Sequence, residues 1–180
     1  TFFITKHMYP CQPQQATPVF DTYFLDAYDT YLYSHYNFEF LAQTIAQHIQ
    51  ARNCQRILDC TAGIGGDLAL WLHKLNISVD CSDQSPLMTQ RFQNAAQRMQ
   101  IETRCKTLKW DELTKLDQQY DYVICQSNSL VYGPAWDGKH IPSLKDVKTY
   151  VEQFAQVIRP GGYLHIDAPW QTALQHYESA

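Results

Sequence analysis

Two carboxylates and a run of small residues are the part of this sequence best equipped for chemistry. Asp59 closes the short run Arg56-Ile57-Leu58, and Cys60-Thr61-Ala62-Gly63-Ile64-Gly65-Gly66 follows before a helix-like stretch opens at Asp67. Glycines let the backbone turn through positive φ and let a ligand lie against it with no Cβ in the way. A strand that runs through such a turn into a helix builds a crevice at the carboxyl end of a parallel sheet. Asp83 stands roughly 20 positions on, after Ile77-Ser78-Val79, where an acidic side chain accepts hydrogen bonds from ribose hydroxyls.

The ligand can be argued from what the loop lacks. A dinucleotide fingerprint, G-x-G-x-x-G, would put a third glycine where Leu68 stands, and no Lys-Ser/Thr pair follows as a P-loop requires. Asp59 beside the loop repels a diphosphate and suits a cation. S-adenosyl-L-methionine (SAM) carries a sulfonium and an ammonium and no phosphate, so the charge argument favours it over NAD or ATP. Asp59, Thr61, Ala62, Gly63, Gly65 and Asp83 are the candidate cofactor residues on this reading.

The elements that must position these groups follow from periodicity. Residues 1–36 read as an irregular, aromatic-rich arm or lid, Pro- and Gln-rich at first and then crowded with rings from Phe20 to Phe40. Tyrosine faces suit a lid over a small polar or cationic acceptor, and Tyr28 and Tyr33 are singled out for that role. The remaining rings read as the packing face of an N-terminal helix. Residues 37–180 read as one domain. Phe38, Leu41, Ile45 and Ile49 predict a helix over 37–52. Strands are predicted at 56–60, 77–81, 102–108, 122–125 and 163–166, with helices at 66–75, 85–99 and 144–158 between them. Ser85 caps the second of these helices with Pro86 at its first position. Arg159-Pro160-Gly161-Gly162 reads as a sharp turn. Strands alternating with helices predict an α/β, Rossmann-like doubly wound and mostly parallel sheet.

Composition narrows the class. At 180 residues, 45% apolar and 18% charged, the chain is one soluble globular domain. No apolar run approaches the ~20 residues of a membrane span, and Thr1–Lys6 has no charged leader, so neither a membrane nor a signal peptide is expected. A net charge of −4 argues against nucleic acid as partner. Six cysteines without C-x-x-C spacing point to a reducing, cytoplasmic setting, and scattered histidines predict no metal site.

With these pieces in line the chain resembles the class I SAM-dependent methyltransferases from about Cys54 to Asp167. Leu58-Asp59…Gly63-Ile64-Gly65 is similar to the family's glycine motif, Ser82-Asp83-Gln84-Ser85-Pro86…Met88 to its acidic motif, and Arg159–Gly162 to the turn before its fifth strand. Gln84 and Met88 join the cofactor set on this ground. Cys54–Asp59, Trp110 and Asp121–Ser129 look most like the glycine/sarcosine N-methyltransferase branch. That resemblance implies that Trp110 lies against the adenine, that Asp111 serves its amino group, that Gln126 lines the cofactor and that Asn128 holds the acceptor. His140 and Tyr132 fall in the loop that closes over the acceptor. The chain departs from the branch after the fifth strand, where Asp167-Ala168-Pro169-Trp170 replaces its carboxylate-clamping Arg. Class I enzymes also add a sixth and a seventh strand, so the C-terminal strands are expected to be missing here. The expected activity is methyl transfer from SAM to a small-molecule acceptor, an amine or amino-acid-like compound. The competing readings are an RNA methyltransferase, a non-catalytic SAM-binding module and, more distantly, a NAD-dependent oxidoreductase.

Overall fold

The computed structural model describes residues 22–63, 67–127, 129–132 and 143–167. Helices α1 (Thr22–His35) and α2 (Phe38–Ala51) precede β1 (Ile57–Asp59), α3 (Asp67–Lys74), β2 (Val79–Asp83), α4 (Pro86–Arg98) and β3 (Cys105–Thr107). A 3₁₀ helix (Trp110–Leu116), β4 (Tyr120–Cys125), the short α5 (Ser129–Tyr132), α6 (Leu144–Val157) and β5 (Ile158–Ile166) complete the order. The sheet runs β3-β2-β1-β4-β5, and every neighbouring pair is parallel. From β1 the chain winds outward through β2 to β3, then returns to the other side of β1 as β4. The crevice between β1 and β4 is thus the switch point at which open α/β sheets bind ligands.

From Tyr122 to Cys125 the side chains of β4 alternate between two layers, as a strand buried on both faces demands. The irregularity between Tyr120 and Tyr122 offsets Tyr120 from that pattern. Ile57, Tyr122 and Ile124 join a cluster with Ile45, Ile49, Leu68, Leu72 and Phe92, under α2, α3 and α4. Leu58, Tyr120, Val123 and Cys125 face the opposite layer, with Leu113, Phe154 and Val157 from the 3₁₀ helix and α6. Phe92 and Phe154 are the central rings of the two layers; truncation of either to Ala costs about 3–5 kcal/mol. The α4 start matches its sequence signal: the Ser85 hydroxyl accepts from Met88 N at 3.4 Å, and Pro86 opens the helix.

Three expectations need correction. Residues 22–35 are not irregular but form α1, held down by Leu32, 3% exposed, and by an ion pair from Asp29 to Arg91 of α4. Arg159–Gly162 is not a turn ahead of a four-residue strand. It lies inside β5, which starts directly after α6; Tyr120 pairs with Ile158 but Tyr122 pairs with Tyr163, so the extra residues form a bulge. Gly161 takes φ +79° there, and a proline or glycine inside a strand is tolerated at such a bulge. β2 ends on Asp83, later than the apolar run suggested, while β3 is shortened to three residues. Residues 133–142, His140 among them, lie outside the described residues.

Candidate active site at the carboxyl rim of the sheet

The site grows from the last residue of β1. Asp59 is fully buried because β2 and β4 flank β1 on both sides. Its Oδ1 accepts from Thr61 N at 2.9 Å and from the Thr61 hydroxyl at 3.1 Å. Its Oδ2 is buried with no hydrogen-bond partner, and Asp59 makes no ion pair among the described residues. Burial pushes this carboxyl up to about 7; Thr61 pulls the other way, and Asp83 and Asp167 add to the rise by repulsion. A buried, half-satisfied carboxylate is expensive, and a cation that reaches it recovers that cost.

Asp83, at the tip of the adjacent strand, fastens the glycine loop. Its Oδ2 accepts from Gly63 N at 3.0 Å and its Oδ1 from Ser85 N at 2.8 Å. Burial raises this carboxyl to about 6 against the two backbone donors. Each oxygen keeps a second lone pair, which is the capacity a ribose diol needs. Gly63 is required by close approach: a Cβ there would stand 2.4 Å from Asp83 Oδ2 and 2.9 Å from Met88 Cβ. Ala62 is buried beside it, its N–H bonded to Ser82 O at 3.1 Å.

Across β1, the rim is built by a string of side chains. Gln126, 4% exposed, donates from its main-chain N to Thr61 Oγ1 at 2.9 Å, which ties it to Asp59 through one hydroxyl. Its Nε2 donates to Asp167 Oδ2 at 2.9 Å, and its Oε1 lies 3.2 Å from His165 Nε2. Since that amide oxygen only accepts, His165 carries its proton on Nε2, leaving Nδ1 to accept from the Tyr122 hydroxyl at 3.4 Å. Burial lowers the His165 pKa below the ordinary histidine value, with Asp167 pulling upward. Neither Asp167 nor His165 is singled out by spacing alone; the signal available was the carboxylate at the end of the fifth strand.

Of the other expected residues, Met88 is buried under the glycine loop, and Gln84 and Asp111 are exposed at the rim-side starts of α4 and the 3₁₀ helix. Trp110 sits on the α6 side, its ring edge-on to Tyr150 and Phe154 at 4.9 and 5.1 Å between centroids. Its indole N–H donates to Cys60 O at 3.0 Å, so the polar edge braces the loop after β1. Tyr33 is 56% exposed on α1 and meets Phe38 edge-on. Tyr28 belongs to α1 and Tyr132 to α5, but neither side chain is among the described ones. Gly65, Asn128 and His140 lie outside the described residues. The structure therefore brings Asp59, Thr61, Ala62, Gly63, Asp83, Met88 and Gln126 together.

Comparison with known proteins agrees with this geometry. A family model described as a methyltransferase domain matches residues 57–162, more than half of the sequence, and the chain belongs to that family. No curated protein matches it. A solved S-adenosylmethionine-dependent methyltransferase from Clostridium acetobutylicum ATCC 824 is 18% identical, with a TM-score of 0.60 over 79% of this chain and 55% of that one. The sugar N-methyltransferase KedS8 from Streptoalloteichus sp ATCC 53650 is 20% identical, with a TM-score of 0.58 over 80% and 55%. DesVI from Streptomyces venezuelae is 19% identical, with a TM-score of 0.64 over 86% and 62%. The chain thus spans a little over half the length of these structures, and the likeness is one of fold. That fold is the class I SAM-dependent methyltransferase fold. SAM is its cofactor, and the residues present fit it: the orphan oxygen of Asp59 suits a cation, Asp83 a ribose, and Gly63 offers bare backbone between them. No helix among the described residues is long and apolar enough to cross a membrane.

Proposed function

We propose that the protein transfers a methyl group from SAM to a small-molecule acceptor, an amine or amino-acid-like compound. The observation that carries the reading is Asp59: a fully buried carboxylate whose Oδ2 has no partner, at the switch point of the sheet. When bound, the cofactor supplies a methyl group on a positively charged sulfur. Asp59 favours that charge over a phosphate, Asp83 takes the ribose hydroxyls, and the buried crevice excludes water. In-line alignment of donor and acceptor is the main contribution asked of the protein, equivalent to effective molarities up to ~10⁵–10⁸ M. Asn128, Tyr28, Tyr33 and His140 are proposed for the acceptor side, with the segment ahead of α2 as its cover. The glycine/sarcosine N-methyltransferase branch supplies the nearest pattern for this finer reading, on the residues around Cys54, Trp110 and Asp121–Ser129.

Calorimetric titration with SAM and S-adenosylhomocysteine tests it, on the wild type and on Asp83→Ala. Micromolar binding that collapses in the variant is expected. Because Asp83 also holds Gly63 N and Ser85 N, Asp83→Asn with a matched melting temperature serves as the folded control. Turnover with a panel of amines, amino acids and thiols then separates an enzyme from a binding module; tight SAM binding with no turnover on any of them overturns the enzymatic reading.

A further inference from the structure

We propose that Thr61 is a positioning residue of the cofactor site: its single hydroxyl proton, aimed by the Gln126 main chain, saturates one oxygen of Asp59 and leaves the other for the ligand's cation. The proposal rests on the methyltransferase reading and adds to it the residue that sets the pH range of SAM binding. The direction of the hydrogen bonds is the first ground. Gln126 N lies 2.9 Å from Thr61 Oγ1 and, as an N–H, only donates. The hydroxyl accepts on that side, so its one proton goes to Asp59 Oδ1 at 3.1 Å. Thr61 N donates to the same oxygen at 2.9 Å. Oδ1 thus receives two donors from one residue, while the buried Oδ2 receives none.

The frame around Thr61 is the second ground. Cys60 N bonds to Ile124 O at 3.0 Å on the β4 side, and Ala62 N bonds to Ser82 O at 3.1 Å on the β2 side. Thr61 stands buried between these two ties, and Gln126 meets it directly after the end of β4. The hydroxyl cannot swing away without leaving the N–H of the buried Gln126 unpaired. Protonation of Asp59 is opposed as a result: a proton on Oδ1 must displace a donor, and a proton on Oδ2 finds no acceptor. Burial drives this carboxyl up to about 7, and Thr61 is the described residue that pulls it down, through its main-chain N–H and its hydroxyl. Asp83 from β2 and Asp167 after β5 repel its charge, and Asp83 is itself raised to about 6 by burial. The thiols of Cys60, Cys81 and Cys105, at the end of β1 and on β2 and β3, are pushed up by burial and stay neutral. No cationic side chain among the described residues pairs with Asp59.

The test is SAM affinity by titration calorimetry between pH 6 and pH 8 on the wild type, Thr61→Val and Thr61→Ser. Valine keeps the shape and the main-chain N–H and removes the hydroxyl, so Asp59 should take up its proton at higher pH. The ligand's own ionisation cancels in the ratio of variant to wild-type Kd. That ratio should be about tenfold at pH 6, the low end for a hydrogen bond to a charged group, and about twofold at pH 8. Thr61→Ser restores the hydroxyl and should recover wild-type affinity within about threefold. In an Asp59→Asn background Thr61→Val should add no further loss, because Thr61 acts through Asp59. Thr61→Ala carries the same predictions should the valine variant fail to fold. An equal loss at pH 6 and pH 8, a loss that persists in Asp59→Asn, no loss at all, or no recovery with serine overturns the proposal. Failure of the wild type to bind SAM instead overturns the methyltransferase reading beneath it.

Discussion

Asp59 and Asp121 sit on neighbouring strands of one sheet, both buried, and have opposite fates. Asp121 lies at the start of β4, near the amino end of the sheet. Its Oδ2 accepts from Gln55 N at 2.6 Å and Arg56 N at 2.9 Å, and Arg159 Nε lies 2.5 Å from Oδ1. Burial alone would raise its carboxyl, but those two N–H groups and the Arg159 charge outweigh burial and hold it below the usual value. Asp59, at the carboxyl end, has one oxygen served by Thr61 and the other by nothing, and burial drives it up to about 7. One end of the sheet is finished with fixed donors, while at the other the Asp59 Oδ2 has no hydrogen-bond partner among the described residues. The difference separates a carboxylate that holds the fold from one that waits for a ligand.

That contrast is broken or sharpened first by paired neutralisations. Asp59→Asn should weaken SAM by roughly ten- to a hundredfold, the loss of one hydrogen bond to a charged group at about 1.5–3 kcal/mol. The same change should raise the melting temperature of the cofactor-free protein at pH 8, because a buried charge is removed. Asp121→Asn should do the reverse, lowering the melting temperature and leaving SAM affinity alone. Titration calorimetry and thermal melts on the two variants check both signs. If both behave alike, the contrast fails.

Gly63→Ala comes next. The new Cβ would collide with Asp83 Oδ2 and Met88 Cβ, so the loop must shift, at about 1–3 kcal/mol of stability. Titration calorimetry should show weaker SAM binding than in the wild type. The pH dependence is subtler. Asp59 and Asp83, raised to about 7 and about 6, contribute stability that is complete below pH ~4, their unfolded range. That contribution is lost as pH rises through 6 and 7. Asp121, lowered instead, contributes above its unfolded value and loses that contribution in acid. Melts from pH 5 to 8 should show the cofactor-free wild type declining more steeply than Asp59→Asn, with SAM flattening the wild-type slope. The smallest effect belongs to Arg159→Met: its side chain is half exposed, and breaking its pair with Asp121 should cost at most ~1 kcal/mol in a denaturant melt.

Much of the rim was legible in the sequence because it depends on local pattern. Asp59 and Gly63 are close in the chain, and the Ser85-Pro86 start of α4 is a two-residue signal, so spacing alone located them. The parallel, doubly wound sheet follows from strands alternating with helices, while its strand order is a finding of the structure. What spacing could not give was the match between distant strands. Asp167 reaches Gln126 only because β5 pairs with β4 in a register set by the bulge at Arg159–Gly162, and a bulge reads in sequence as a turn. Trp110 was assigned to the cofactor by resemblance; its packing against α6 depends on where the 3₁₀ helix lands, which no periodicity predicts. Helix α1 was legible only in part: the rings after Phe20 suggest a packing helix inside an arm whose Pro- and Gln-rich start reads as irregular, and its faces are mixed, with Tyr31 and Tyr33 exposed and Leu32 buried.

The most direct test of a cation-seeking Asp59 is the proton count on SAM binding, measured calorimetrically at pH 7 in two buffers of different ionisation enthalpy. We expect a fraction of a proton to be released, with affinity rising from pH 6 to pH 8 and the release vanishing in Asp59→Asn. Binding with no proton release and no pH dependence, or a site that takes up NADH in preference to SAM, would contradict it.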